Sequence, residues 1–148
     1  MSGLGELWAC PKCGAKFVTA NQWHSCGEAT LGDWVDHLGP RGAALFNQFE
    51  QMVAACGEYH IATAKTRIAF MGRVRFATIT SLSERGMTWS FALPRALESN
   101  RIDRVEEVVS GWYVHWVKVV DATQLDTEVQ GWIDESYRLM GMQERLNL

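Results

Sequence analysis

Six short stretches between residues 59 and 120 read as extended chain, and they limit the possible folds more than any other feature of this sequence. Residues 73–80 (RVRFATIT) and 87–93 (MTWSFAL) alternate along the chain, the period-two pattern of a strand with one face in a core. Trp89, Phe91 and Leu93 fall on one side of the second stretch, and Pro94 ends it because proline cannot donate to a strand ladder. Residues 59–63 and 66–70 read as two earlier strands, with a turn at Met71-Gly72. Glu84-Arg85-Gly86 signals another turn, and residues 103–109 and 112–120 are two strands around Ser110-Gly111. Strands joined this tightly pair antiparallel, since a parallel pair needs a crossover of a dozen residues or more.

Helical periodicity brackets this region. Leu45, Phe46, Phe49, Met52 and Val53 recur at three- and four-residue spacing, which predicts a helix over residues 41–55. Pro40 suits its first position, and Cys56-Gly57 stops it. Leu125, Val129, Trp132, Ile133 and Met140 predict a closing helix over about residues 124–140, with Thr123-x-x-Asp126 as a capping box. Helix, antiparallel meander, helix is an α+β plan with the helices on one face of the sheet.

The first 38 residues are too few to bury a core of their own. They carry Cys10 and Cys13 in CPKCG and His24 and Cys26 in WHSC. Thiolate and imidazole are the donors zinc prefers, and four of them close a tetrahedral structural site. Phe17 and Trp23 would fill that knuckle, and His37 is the reserve ligand should the tight His24-x-Cys26 spacing displace one donor. Reduced thiols without metal are the alternative. Residues 31–38 read as one or two helical turns of linker. The expected organisation is a zinc-binding knuckle and linker over residues 1–38 and an α+β domain over 39–148, with zinc as a structural cofactor.

The start of the chain shows no basic segment followed by an apolar run, and no stretch reaches the ~18 apolar residues of a membrane span. A cytoplasmic protein with reduced thiols is expected. A formal net charge of −3 argues against a coat for duplex DNA but leaves room for a local basic patch. One such patch is KTRIAFMGRVRF, residues 65–76, where Lys65, Arg67, Arg73 and Arg75 all take odd positions. On two arms of a hairpin they would share a face, with Ile68, Phe70, Val74 and Phe76 directed into the core. Clustered cations of this kind hold phosphate or carboxylate, or else are neutralised by Glu98, Glu106 or Glu107. In GWYVHWVKV, residues 111–119, Tyr113 and His115 share one face and Trp112, Trp116 and Lys118 the other. An aromatic strand beside arginines suits a ring-bearing ligand or single-stranded nucleic acid.

No glycine-rich phosphate loop, GxSxG elbow or HExxH pair is present in the sequence. Cys56, at a helix end, reads as a buried structural thiol. Asp33 and Asp36 beside His37 read as solvated helix charges.

At LWACPKCG, NQWHSCG, KTRIAF and RVRFA the chain resembles a bacterial family known as domain of unknown function 5655. The resemblance implies a CPKCG…HSCG knuckle, a KTRIAF strand, an RRLE-like pattern matched by Arg95 to Glu98, a histidine-bearing strand matched at Val114-His115, and a closing helix matched from Leu125 to Tyr137. Related copies end larger chains with nuclease-like domains, which implies work on nucleic acid. This chain departs from the pattern at Gly57-Glu58 and Ala64, where members carry Gly-Pro and Pro, and at Trp112-Tyr113, where members carry a more polar pair.

The resulting expectation is a binding module for nucleic acid or another anionic ligand, held by Lys65, Arg67, Arg73 and Arg75 with Arg95 at the rim. Tyr113 and His115 would add stacking or hydrogen bonds, and Lys12 and Lys16 further contacts. Two rivals stand beside it: an enzyme acting on a small molecule with His115 as acid/base, and a protein-interaction adaptor using exposed tryptophans.

Overall fold

The computed structural model describes residues 7–9, 11, 16–17 and 31–142. It is an α+β protein. Strands β3 (His60–Ala64), β4 (Arg67–Met71), β5 (Arg75–Ser83), β6 (Gly86–Leu93), β7 (Ile102–Val109) and β8 (Trp112–Val119) form one antiparallel sheet in the order β3-β4-β5-β6-β8-β7. Helices α1 (Leu31–Val35), α2 (Pro40–Ala54) and α3 (Thr127–Ser136) accompany it. The small hairpin of β1 (Trp8–Ala9) and β2 (Lys16–Phe17) completes the described chain.

All six predicted strands are present, with one change of connection. Ala64 pairs with Arg67, so the first hairpin turns at Lys65-Thr66, and the expected turn at Met71-Gly72 is instead the start of a short loop into β5. That loop is closed from outside: Gly141 O accepts the N–H groups of Arg73 (2.6 Å) and Val74 (2.9 Å). Arg73 is therefore drawn out of the ladder and buried at 8% exposure.

One face of the sheet carries the core. Ile68, Phe70, Ile79, Trp89, Phe91, Leu93, Val117 and Val119 meet Leu45, Phe49 and Val53 of α2 and Val129 and Ile133 of α3 there. Burying a large apolar side chain contributes about 1.5–3 kcal/mol, so this cluster is the main stabilising element. Segment 31–38 is docked rather than free: Leu31, Trp34 and Val35 pack on the same core, and Trp34 Nε1 donates to Ala64 O at 2.7 Å.

α2 begins at Pro40, as its sequence predicts, but has no side-chain cap of its own. Glu84, in the β5–β6 turn, supplies one: its carboxylate accepts the N–H of Arg41 at 3.2 Å and of Gly42 at 2.5 Å. Glycines make this approach possible, since a Cβ on Gly39 would stand 2.7 Å from Glu84 Cδ and one on Gly42 3.0 Å from Oε2.

The C-terminal helix differs from expectation. Asp121 and Gln124 form the capping box, around the single 3₁₀ turn Ala122–Gln124. Asp126 is the N-cap of α3, its Oδ1 accepting from Val129 N at 3.2 Å, rather than the third residue of a box headed by Thr123. After Ser136 the chain widens into one π turn, Tyr137–Gly141. Ser136, fully buried, donates to Phe76 O at 2.7 Å and accepts from Ala92 N at 3.2 Å. The β5–β6 ladder ends at Ala77–Phe91, so this hydroxyl satisfies backbone groups just beyond the last pair.

Candidate functional site: the helix-free sheet face

Side chains opposite the core form a second face. Register places Arg67, Ala69 and Met71 of β4, Arg75 and Thr78 of β5, Thr88, Ser90 and Ala92 of β6, Val114, Trp116 and Lys118 of β8, and Arg104 and Glu106 of β7 there. Two bulges adjust the pattern. At Phe70/Met71 the ladder slips, so that Arg75 pairs with Met71 and stands on this face while Phe76 turns into the core. At Ile79/Ser81 a second bulge leaves both Thr80 and Ser81 exposed beside Thr88.

The N-terminal hairpin occupies the β3–β4 end. Trp8 packs on Ala62, Ala69 and Met71, and the Lys16 amide donates to His60 Nε2 at 3.2 Å. Burial lowers the His60 pKa, although the Lys16 carbonyl partly opposes it. The middle of the face has a closed floor of small residues: Thr78, Ser90 and Ala92 are all buried.

Two groups of solvent-reaching side chains remain. The first runs across the strands as Arg67, Thr80 and Ser81, Thr88, then Lys118. Its hydroxyls lie between two cations, and Lys65 follows in the adjacent turn. The second is an aromatic platform: the Arg104 guanidinium lies 3.9 Å from the Trp116 ring centroid and also pairs with Glu106 at 3.1 Å. Among the described residues neither Arg67, Arg75 nor Lys118 forms an ion pair. Arg75 counts as exposed by residue, yet partial desolvation of its guanidinium, followed by repulsion from the Arg67 charge, lowers its pKa. That coupling is the electrostatic sign of two cations on one surface with no carboxylate between them.

The structure does not assemble the single cleft expected from the sequence. Arg67 and Arg75 stay together and Lys65 flanks them, but Arg73 leaves for the loop under Gly141. His115 and Tyr113 lie on the opposite, helix-covered side, because His115 pairs with Phe91 and follows its facing. Strand β6 also separates β8 from β5, so the histidine strand is not a neighbour of the basic strands.

His115 is fully buried. Its ring stacks on Phe91 at 4.8 Å and 9°, and Nε2 accepts the N–H of Leu97 at 3.0 Å. Desolvation lowers its pKa; the Phe91 and Tyr113 carbonyls oppose this, and Arg95 adds to it. Accepting at Nε2 puts the neutral ring's proton on Nδ1, which has no hydrogen-bond partner of ordinary geometry. The ring thus serves to fasten loop 94–101. Arg95 fastens the same loop through Glu135 (Nη2–Oε1 2.8 Å), and Arg101 does so through Glu128 (2.7 Å) and Asp126 (3.1 Å). Arg95 is therefore engaged on the helix side of the sheet, away from Arg67 and Arg75.

Cys56 is half-buried, donating to Asp134 Oδ1 at 2.9 Å. Burial, reinforced by that carboxylate, pushes its thiol up to about 12, which removes it as a nucleophile near neutral pH. The expected metal ligands Cys10, Cys13, His24 and Cys26 lie outside the described residues, as do Lys12 and Trp23; His37 is exposed in the turn after α1. No cluster of metal-binding side chains occurs among the described residues, and no helix among them is long and apolar enough to cross a membrane.

Sequence reading passed over Trp116, Lys118 and Arg104 as companions of the basic strands. The parity of β8 carried the signal for the first two, since the same alternation that buries His115 and Val117 turns Trp116 and Lys118 outward. Arg104 needed the β7–β8 register.

Comparison with curated proteins and with solved structures gave no match. The family model described as "Domain of unknown function (DUF5655)" matches residues 41–140, from the first turn of α2 to the π turn, and the chain belongs to that family.

Proposed function

We propose that this protein is a binding module whose helix-free sheet face holds a phosphate-bearing ligand, nucleic acid foremost. One observation carries the reading: Arg67 and Arg75 share that face with no acidic partner among the described residues, and Lys118 stands across it beyond a row of hydroxyls. Unneutralised guanidinium groups on a common surface attract anions, and flanking hydroxyls donate to phosphate oxygens. The enzyme reading finds less support, because the ring of His115 is sealed and its Nε2 already accepts from Leu97 N–H.

The N-terminal segment fits a structural zinc site in this scheme. Paired residues Ala9 and Lys16 bracket a six-residue stretch, 10–15, that contains Cys10 and Cys13, and a CxxC at the tip of a hairpin is a suitable bidentate grip. Cys26 with His24 or His37 would complete the donor set, and the metal would secure the hairpin that rests on β3 and β4. Metal analysis of the purified protein should return one zinc per chain, and a metal-free protein with intact hairpin contacts would remove this part of the proposal. Reduced thiols of this kind accord with a cytoplasmic setting.

The test of ligand binding is a salt titration with a fluorescent oligonucleotide. Affinity should fall steeply with salt, and Arg67→Ala with Arg75→Ala should flatten the slope by about one to two ions. Absence of binding to the wild-type protein at 50 mM salt would end the reading.

A further inference from the structure

Resting on the anion-binding reading above, we infer that the ligand of this face is single-stranded nucleic acid, with a base stacked on the Trp116–Arg104 pair and the backbone running along Lys118, Thr88, Thr80 and Arg67. A bare anion would use the cations and hydroxyls but has no use for the aromatic platform. The guanidinium of Arg104 lies over the Trp116 ring at 3.9 Å, and the Arg104 side chain is 57% exposed, so its outer face is open to a further flat group. Arginine planes and aromatic rings are the two surfaces on which unpaired bases stack. Trp116 precedes Lys118 by two residues on the same face of β8, which sets a cation beside the platform to take the phosphate next to a stacked base.

Spacing separates a strand from a single nucleotide. Arg67 in β4 and Lys118 in β8 are three strand intervals apart, about 14 Å across the sheet. A mononucleotide resting on Trp116 and Lys118 leaves Arg67 unused, whereas a chain of several nucleotides engages both ends. Duplex does not fit as well, for its bases are already stacked on one another, and a chain of net charge −3 offers few cations for the denser charge of two strands.

The experiment compares four probes on the full-length protein at 50 mM salt: a labelled mixed-sequence single-stranded oligonucleotide, the duplex of the same length, a mononucleotide and inorganic polyphosphate. The single strand should bind most tightly. Trp116→Ala should weaken it by about 5- to 150-fold, the range for loss of one stacked base, while polyphosphate affinity stays within twofold. Trp116→Phe should recover part of the loss. Arg104→Gln, on an exposed side chain whose replacement leaves the core untouched, should weaken the single strand by about 2- to 5-fold. Equal affinity for single strand and duplex, mononucleotide binding as tight as the oligonucleotide, or unchanged binding in both Trp116→Ala and Arg104→Gln would overturn the inference. Polyphosphate bound by the wild type with no effect of either substitution on the oligonucleotide would leave the anion-binding reading standing and remove this one. Failure of all four probes would remove both.

Discussion

Glu84 offers the sharpest test of the packing described above, because one carboxylate reaches 42 residues back along the chain to hold the start of α2. Glu84→Ala removes the acceptor of two N–H groups, those of Arg41 and Gly42, at 3.2 and 2.5 Å. Loss of an N-terminal cap costs about 0.5–2 kcal/mol, and loss of a negative charge at a helix start about 0.3–1 kcal/mol. Arg41 is exposed and water can replace part of what is lost, so the sum discounts to about 1–2 kcal/mol. The helix cannot shed this cost by fraying, since Leu45 and Phe49, one turn in, are fully buried. For a chain of this length the midpoint of thermal unfolding should fall by about 3–8 °C. Urea unfolding followed by far-ultraviolet dichroism measures the free energy, with an unchanged m-value showing that both end states are preserved. Glu84→Gln keeps an acceptor oxygen and loses only the charge, so it should cost about half as much. Gly42→Ala, which in an ordinary helix is stabilising, should here be destabilising, because its methyl group would meet Leu38 Cδ2 at 2.9 Å and Glu84 Oε2 at 3.0 Å. A Glu84→Ala protein within about 0.3 kcal/mol of wild type, or a stabilised Gly42→Ala protein, would refute the cap.

Two further predictions concern titrating groups. With its pKa at about 12, Cys56 should react with iodoacetamide at pH 8 about 100-fold more slowly than an ordinary thiol, after allowance for the greater intrinsic nucleophilicity of a basic thiolate. Peptide mapping by mass spectrometry isolates this residue from the other three cysteines, and Asp134→Asn should speed its alkylation; a fast wild-type reaction contradicts the assignment. His115 has its folded pKa below the unfolded value of about 6.5. The unfolded chain therefore binds more protons just below that pH, and the stability held by the neutral ring is complete above about 6.5 and is lost as pH falls through the folded value. His115→Phe keeps a ring against Phe91 but no acceptor for Leu97 N–H. It should reduce the loss of stability between pH 7.5 and 5 and accelerate hydrogen exchange at the Leu97 amide, whereas a pH profile parallel to wild type would show that His115 does not titrate in this range.

Much of the fold is legible one segment at a time. The spacing of Leu45, Phe46, Phe49, Met52 and Val53 yields a helix starting at Pro40, and the alternation through Trp89, Phe91 and Leu93 yields β6 with its buried side, because helix and strand periods are properties of neighbouring residues. Arg73 and Arg75 show the limit of that reasoning. They share sequence parity with Arg67, yet Arg75 lies on its face only through a bulge, and Arg73 leaves the sheet because the carbonyl of Gly141, far along the chain, claims its N–H.

Local pattern thus determined the element types, the core residues and the separation of Tyr113 and His115 from Trp116 and Lys118 within β8. Tertiary structure alone decided that β6 stands between β5 and β8, that α2 and α3 cover the side bearing His115, that Glu84 caps a helix it does not belong to, and that Arg67 and Lys118 share the other side. The physical reason is that a strand's parity divides its side chains into two sets, while only burial against distant helices chooses which set meets the core and which meets water.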